Sequence, residues 1–269
     1  MSYPPRASIV AALVLCAGCS GVSAEAINTI TYSIHAGSSF VSLHDDFRFA
    51  ADGTVRFRTI SPASYSEASP VGEFVATGET ALFQRLRTAL APSLRVDDGA
   101  PWSAAHEATI EVFSAEQASG RPLILRRTDG RKNALFDQWD SDFTRVRKAA
   151  FAQPVNAVRL GCTRSAATIR CRLEAIGTEA SRVPAPAWTA SYDFWCFDRD
   201  RHMTRAASVG APAPGPPTTM DLTPGEGYDI ALPAGSSCDG SLMLSIRSPS
   251  PESALFNTVA ISAGAIVEK

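Results

Sequence analysis

The first half of the chain alternates apolar and polar positions as antiparallel strands do, and helical spacing interrupts it twice. Residues 29–34 alternate, and so do the two flanks of Asp52-Gly53 within 47–57, where the Asp-Gly pair supplies the positive φ of a tight hairpin turn. Leu82, Phe83, Leu86 and Leu90 then share one helical face with Arg85 and Arg87 outward, which predicts a helix opening at 78 and stopped by Pro92. Segments 109–113 and 123–126 read as two more strands. Phe143, Val146 and Ala150 follow Ser141 at helical spacing and predict a second helix ending before Pro154. Strands followed by a helix, twice, predict an α+β unit over 27–154 whose two helices cover one face of an antiparallel sheet.

Beyond Pro154 helical spacing disappears. Short alternating runs recur near 155–163, 168–176, 189–197, 202–208, 218–222, 228–232, 241–247 and 255–262, a spacing that predicts an all-β, sandwich-like unit over 155–269. The stretch 210–217 carries four prolines, cannot lie inside a sheet, and reads as a long loop. At 269 residues, with 45% hydrophobic and 19% charged side chains, the chain has the composition of an ordinary globular protein of one large or two small domains. A formal net charge of −2 removes the electrostatic case for nucleic-acid binding.

Residues 1–6 carry one positive charge and lead into an eleven-residue apolar run, 7–17. As a helix that run would be about 17 Å long, well short of the roughly 30 Å of a bilayer core, so 1–18 reads as a processed secretory signal. Later stretches are not long and apolar enough for a spanning helix. The sequence Cys16-Ala17-Gly18-Cys19-Ser20 resembles the lipobox of bacterial lipoproteins, although that family usually has Leu or Val where Cys16 stands. The resemblance implies a diacylglycerol anchor on Cys19, a tether over 19–26 and attachment to a membrane. Ser20 resembles the residue of lipoproteins that move on to the outer membrane. Val22-Ser23-Ala24 offers a rival, ordinary cleavage after Ala24, which would release a soluble periplasmic or secreted product.

Four cysteines remain in the body, an even set that in an oxidising compartment predicts two disulfides with three possible connectivities. Val158, Leu160 and Cys162 share one strand face, and Ile169, Cys171 and Leu173 share a face of the next. A turn near 165–167 would lay those strands side by side, so Cys162 is expected to pair with Cys171 and, by elimination, Cys196 with Cys238. None of the four has the close spacing of a zinc knuckle, and no metal or other cofactor is implied.

Signatures of three common hydrolase geometries, G-x-S-x-G, S-x-x-K and H-E-x-x-H, do not occur, and lysine is confined to Lys132, Lys148 and Lys269. His44-Asp45-Asp46 reads as a solvated acidic turn, since neighbouring strand residues point to opposite faces. His106-Glu107 reads as a surface loop. Asp198, Asp200 and His202 form a charged β-turn whose interleaved arginines are unlike a calcium loop. Arg126, Arg127, Arg131 and Lys132 surround an Asp-Gly turn and read as a solvated hairpin tip. In the aromatic run 192–197, alternation sends Trp195 and Phe197 to the face opposite Tyr192, Phe194 and Cys196. If the first face is not covered, it becomes an apolar patch of the kind that contacts another molecule.

The expectation is a non-enzymatic, lipid-anchored envelope protein that binds an envelope protein or glycan. Small periplasmic inhibitors and immunity proteins resemble this plan in export, anchoring and β-rich disulfided bodies. Two alternatives stand: a periplasmic hydrolase whose pocket gathers at least two of His44, Asp45, Asp198, Asp200 and His202, or an architectural lipoprotein with no dedicated ligand.

Overall fold

The structure, a computed structural model, describes residues 22–37, 42–60, 68–96, 109–117, 122–128, 133–165, 168–184, 192–198, 200, 202–209, 219–232, 238, 241–246 and 259–268. The signal 1–18, Cys19, His106, Arg131, Lys132 and the proline-rich stretch 210–217 lie outside the described residues. The protein is mostly strand, arranged in large antiparallel sheets.

Strand β1 (Ile27–Gly37) pairs antiparallel with β2 (Ser42–Ala50), which turns through Asp52-Gly53 into β3 (Val55–Thr59). Gly53 has φ +84°, and the Asp52 carboxylate accepts the Thr54 N–H, so the turn has the chemistry that the pair demands. The two-residue β4 (Ala68–Ser69) and β5 (Val71–Ala76) follow, then helix α1 (Thr80–Leu90), the short β6 (Arg95–Val96), β7 (Thr109–Gln117) and β8 (Leu123–Thr128). A single helical turn, α2 (Ala134–Asp137), is capped by Asn133, whose side chain accepts the Leu135 N–H, and α3 (Asp140–Phe151) comes next. The chain continues through β9 (Pro154–Arg164), β10 (Ile169–Gly177), β11 (Ser181–Pro184), β12 (Tyr192–Phe197) and β13 (Met203–Val209). The last described strands are β14 (Thr219–Leu222), β15 (Gly227–Ala231), β16 (Ser241–Ile246), β17 (Val259–Ala265) and β18 (Val267–Glu268).

Among the described residues the large sheet has the order β15-β10-β9-β5-β3-β2-β1-β7-β8-β6, with β18 parallel to β9. A smaller sheet runs β13-β12-β16-β17-β4, and β11 pairs with β14. Hydrogen bonding does not stop at Pro154, because β9 pairs with β5. The chain also changes sheets at two corners, through Pro70 between β4 and β5 and through Ile266 between β17 and β18.

Side chains divide where the backbone does not. Ile30, Phe47, Phe57, Phe74, Phe113 and Ala157 lie in a first core with Leu82, Leu86, Phe143 and Val146 of the helices. Val158, Leu160, Cys162, Cys171 and Leu173 lie in a second, with Phe194, Cys196 and Leu242 of the smaller sheet. Ala157 and Val158 are neighbours on β9 and point to opposite faces, so helices pack on one face of the large sheet and the small sheet on the other. Within the expected tether 19–26, Val22 and Ala24 already pack against the first core, and Ala24–Ala26 form a 3-10 turn.

Gly72 makes the β5–β9 pairing possible. It sits at φ +133°, and a Cβ there would stand 2.5 Å from the Ala157 Cα and closer still to the Asn156 carbonyl. Gly78, at φ +83°, has open space around the same point. Gly72→Ala should therefore cost about 3 kcal/mol and Gly78→Ala only about 1 kcal/mol. Urea midpoints of the two variants check this; equal midpoints would show that the β5–β9 approach is looser than described.

Candidate functional site

The two disulfides join Cys162 to Cys171, the pairing expected from strand alternation, and Cys196 to Cys238, the pairing expected by elimination. Cys162 and Cys171 are direct partners in the β9–β10 ladder, which brings their sulfurs together on the face of the second core. By loop-closure entropy the first bridge is worth about 3 kcal/mol and the longer Cys196–Cys238 loop about 4 kcal/mol, so the second is the stronger staple on the small sheet.

That sheet carries the candidate interaction surface. Phe194 and Cys196 of β12 are buried in the second core, and alternation turns Trp195 and Phe197 to the opposite face. There both rings are half-buried and pack with Met203 of β13 against Met243 of β16, which is fully buried. Arg205, paired across the ladder with Trp195, stacks its guanidinium 5.0 Å from the indole centroid. The arrangement offers large, rigid apolar surface beside a cation, on a sheet fixed from behind by a disulfide.

The acidic and histidine residues do not converge. His44-Asp45-Asp46 lies inside β2 and not in a turn, because the strand begins at Ser42, well before Phe47. Asp45 shares the inward face with Phe47 and Phe49, while His44 and Asp46 point the other way and pair with each other at 2.7 Å. The buried Asp45 carboxylate accepts Arg147 Nη2 of α3 at 2.6 Å, and the Arg147 guanidinium lies over Phe47 and Phe57, 5.6 Å from each ring. Burial pushes the Asp45 carboxyl above its ordinary value, more than Arg147 and the Thr59 hydroxyl lower it. Asp198 and His202 stand on the exposed turn between β12 and β13, in the other sheet. The Asp198 carboxylate accepts the backbone N–H groups of Asp200 and His202, and these bonds together with His202 hold its carboxyl below the usual range. Among the described residues no three His, Cys, Asp or Glu side chains gather as a metal site. A cavity walled by Gly72, Ala157, Ser181 and Arg182 encloses ≈ 10 Å³, room for about one water molecule.

Of the expected solvated hairpin tip, Arg131 and Lys132 lie outside the described residues, and Arg127 departs from that reading. Arg127 turns inward on β8, its side chain 10% exposed, and binds Glu111 of β7 through Nε at 2.5 Å and Nη2 at 2.7 Å. It also binds Asp137 of α2 and covers the Phe136 ring at 4.9 Å. Tyr32 of β1 donates its hydroxyl to the same Glu111 at 2.6 Å, and burial followed by that carboxylate pushes the phenol far above its ordinary value. The Glu111 bond is likewise the main reason the Arg127 guanidinium holds its proton more tightly than usual. A further clamp joins Arg145 of α3 to Glu79 at the start of α1, at 2.5 and 2.7 Å. These groups bind and orient helices; their hydrogen-bonding capacity is used within the protein. The inward phase of Tyr32 and Glu111 follows from alternation, since Tyr32 falls in step with Ile30 and Glu111 with Phe113.

A scan of protein-family models finds no match to this chain, and no curated protein matches it. Among the described residues no helix is long and apolar enough to cross a membrane, and the disulfides are compatible with an extracytoplasmic location.

Because the folded state holds the Asp45 proton more tightly than the unfolded chain does, the stability this site contributes is complete at low pH. It is lost as pH rises through the raised value. Asp45→Asn removes that loss, so the variant should gain on wild type in urea-unfolding free energy as pH goes from about 4 to about 7. A difference that does not change with pH would show that this carboxyl titrates normally.

Proposed function

We propose that this chain is an exported, lipid-anchored envelope protein of the inhibitor or immunity type, which acts by binding another molecule through the Trp195–Phe197 face of the small sheet. The observation that carries the reading is the pair of half-buried aromatic rings turned away from the second core, with Arg205 stacked on one of them. Trp and Arg are the residues most often found to dominate binding energy, and a rigid sheet holds them at little entropic cost. The scattered placement of His44, Asp45, Asp198, Asp200 and His202 favours binding over a carboxylate/histidine hydrolase. We read the body as an α+β part over 27–154, with α1 and α3 on one face of the sheet, and a sandwich-like part over 155–269, the two sharing the large sheet across Pro154.

Support for the anchor comes from the folded start of the chain. Cleavage after Ala24 would discard Val22 and Ala24, both of which pack against the first core. Processing at Cys19 keeps them. The lipobox-like Cys16–Ser20 and the disulfides fit a periplasmic protein held at the outer membrane.

Two measurements test the proposal. Metabolic labelling with a fatty acid should tag wild type and leave Cys19→Ser unlabelled; equal labelling of both, or of neither, removes the anchor. Chemical crosslinking in intact envelopes should join wild type to a specific protein or glycan partner. Trp195→Ala, with both disulfides verified by non-reducing peptide mapping, should weaken that association about 30-fold. Unchanged association in Trp195→Ala would move the contact elsewhere, and no specific partner at all would end the binding reading.

A further inference from the structure

We propose that one end of the large sheet, around Arg87, Arg95 and Val96, is held flat against the bilayer surface. The inference rests on the reading of Cys19 as the anchored residue and adds an orientation that lipidation alone does not fix. Val22 is already packed against the first core, and the 3-10 turn that follows it lies against α1. Only three peptide links separate Cys19 from Val22, so their Cα atoms are at most about 11 Å apart. Strand β1 alone, with its 11 residues, is about 36 Å long. A body three times longer than its leash cannot turn over, and the end at which the chain enters must face the membrane.

The sheet register says which residues share that end. Ile27 opens β1 opposite Gln117 at the close of β7; Leu123 opens β8 opposite Ala115; and Val96 of β6 lies opposite Leu123. Val96 is thus three strand spacings from β1, about 14 Å. It is 53% exposed, and among the described residues no other large hydrophobic side chain is exposed. Beside it the exposed Arg95 is fixed by Nη1, which donates to the carbonyls of Pro92 and Leu94 at 2.8 Å each. Arg87 of α1 lies over the Phe83 ring, near Glu25. Of the described carboxylates at this end, Glu25 accepts from the Ser23 hydroxyl and Glu116 pairs with Arg48, while Asp97 and Asp98, which follow Val96, lie outside the described residues. Pro92 and Pro122 are exposed on the same rim. An apolar tip with prolines and flanking arginines suits the headgroup layer, where guanidinium meets phosphate and a valine reaches the acyl boundary.

The test uses the mature lipidated protein reconstituted in phosphatidylcholine vesicles containing a spin-labelled lipid. The native body cysteines are in disulfides and Cys19 carries the lipid, so Val96→Cys and Asp229→Cys each add one free thiol for a fluorophore. Asp229 lies on β15, six strands from β1 across the sheet, and is the control. Quenching should be several-fold stronger at position 96 than at 229. Insertion of ten Gly/Ser residues between Gly21 and Val22 should lower it at 96 to the level of 229. Equal quenching at both positions, or strong quenching at 96 that survives the insertion, overturns the orientation. Flotation with the vesicles is scored separately. Protein that floats only when Cys19 is present but shows equal quenching keeps the anchor and loses the orientation. Protein that does not float removes the anchor, and the orientation falls with it.

Discussion

Strand β9 serves two hydrophobic cores, and that sharing constrains what lies on either side of it. A strand alternates its side chains between two faces, so Ala157 can join the first core while Val158, Leu160 and Cys162 build the wall against the small sheet. A slip of one residue would exchange the two sets and bury neither correctly. Two features hold the register. The close β5–β9 approach at Gly72 accepts no side chain, and the Cys162–Cys171 bridge fixes β9 to β10. The candidate surface depends on this wall, since Phe194 and Cys196 need it in order to turn Trp195 and Phe197 outward.

Buried charges in the first half act in a different way. Glu111–Arg127 and Asp45–Arg147 each tie a strand to another element and remove ionic groups from water, whereas Glu79 at the start of α1 is buried against an Arg145 that stays half exposed. Such pairs add little net stability compared with well-packed apolar residues, but leaving one member alone costs about 3–5 kcal/mol. Their effect is therefore to exclude other placements of α2 and α3 on the sheet more than to strengthen the one that is adopted.

Much of this was legible in the residues. The hairpin at Asp52-Gly53, the helical stripes ending before Pro92 and Pro154, and the alternation around each body cysteine are local signals, and local signals survive folding. The continuity of the large sheet across Pro154 was not legible, because pairing between β5 and β9 joins residues far apart in sequence and leaves no local periodicity. Arg127 and Asp45 were misread for a related reason. A charged side chain in a polar run looks solvated until its partner is brought in by another element, here β7 for Arg127 and α3 for Asp45. Of the candidate surface, the opposite facing of Trp195 and Phe197 could be read from alternation, whereas Met243 and Arg205 come from neighbouring strands.

The corners at Pro70 and Ile266 bear on how the molecule comes apart. Ala68 and Ser69, from early in the chain, pair with β17 near its end, and β5 pairs with β9 across the middle. A proteolytic nick after Pro154 would leave both fragments with strands whose partners sit on the other piece, so the nicked halves should stay associated until the whole assembly melts. The protein is interleaved like the pages of two books pushed together, and neither volume can be withdrawn without opening both.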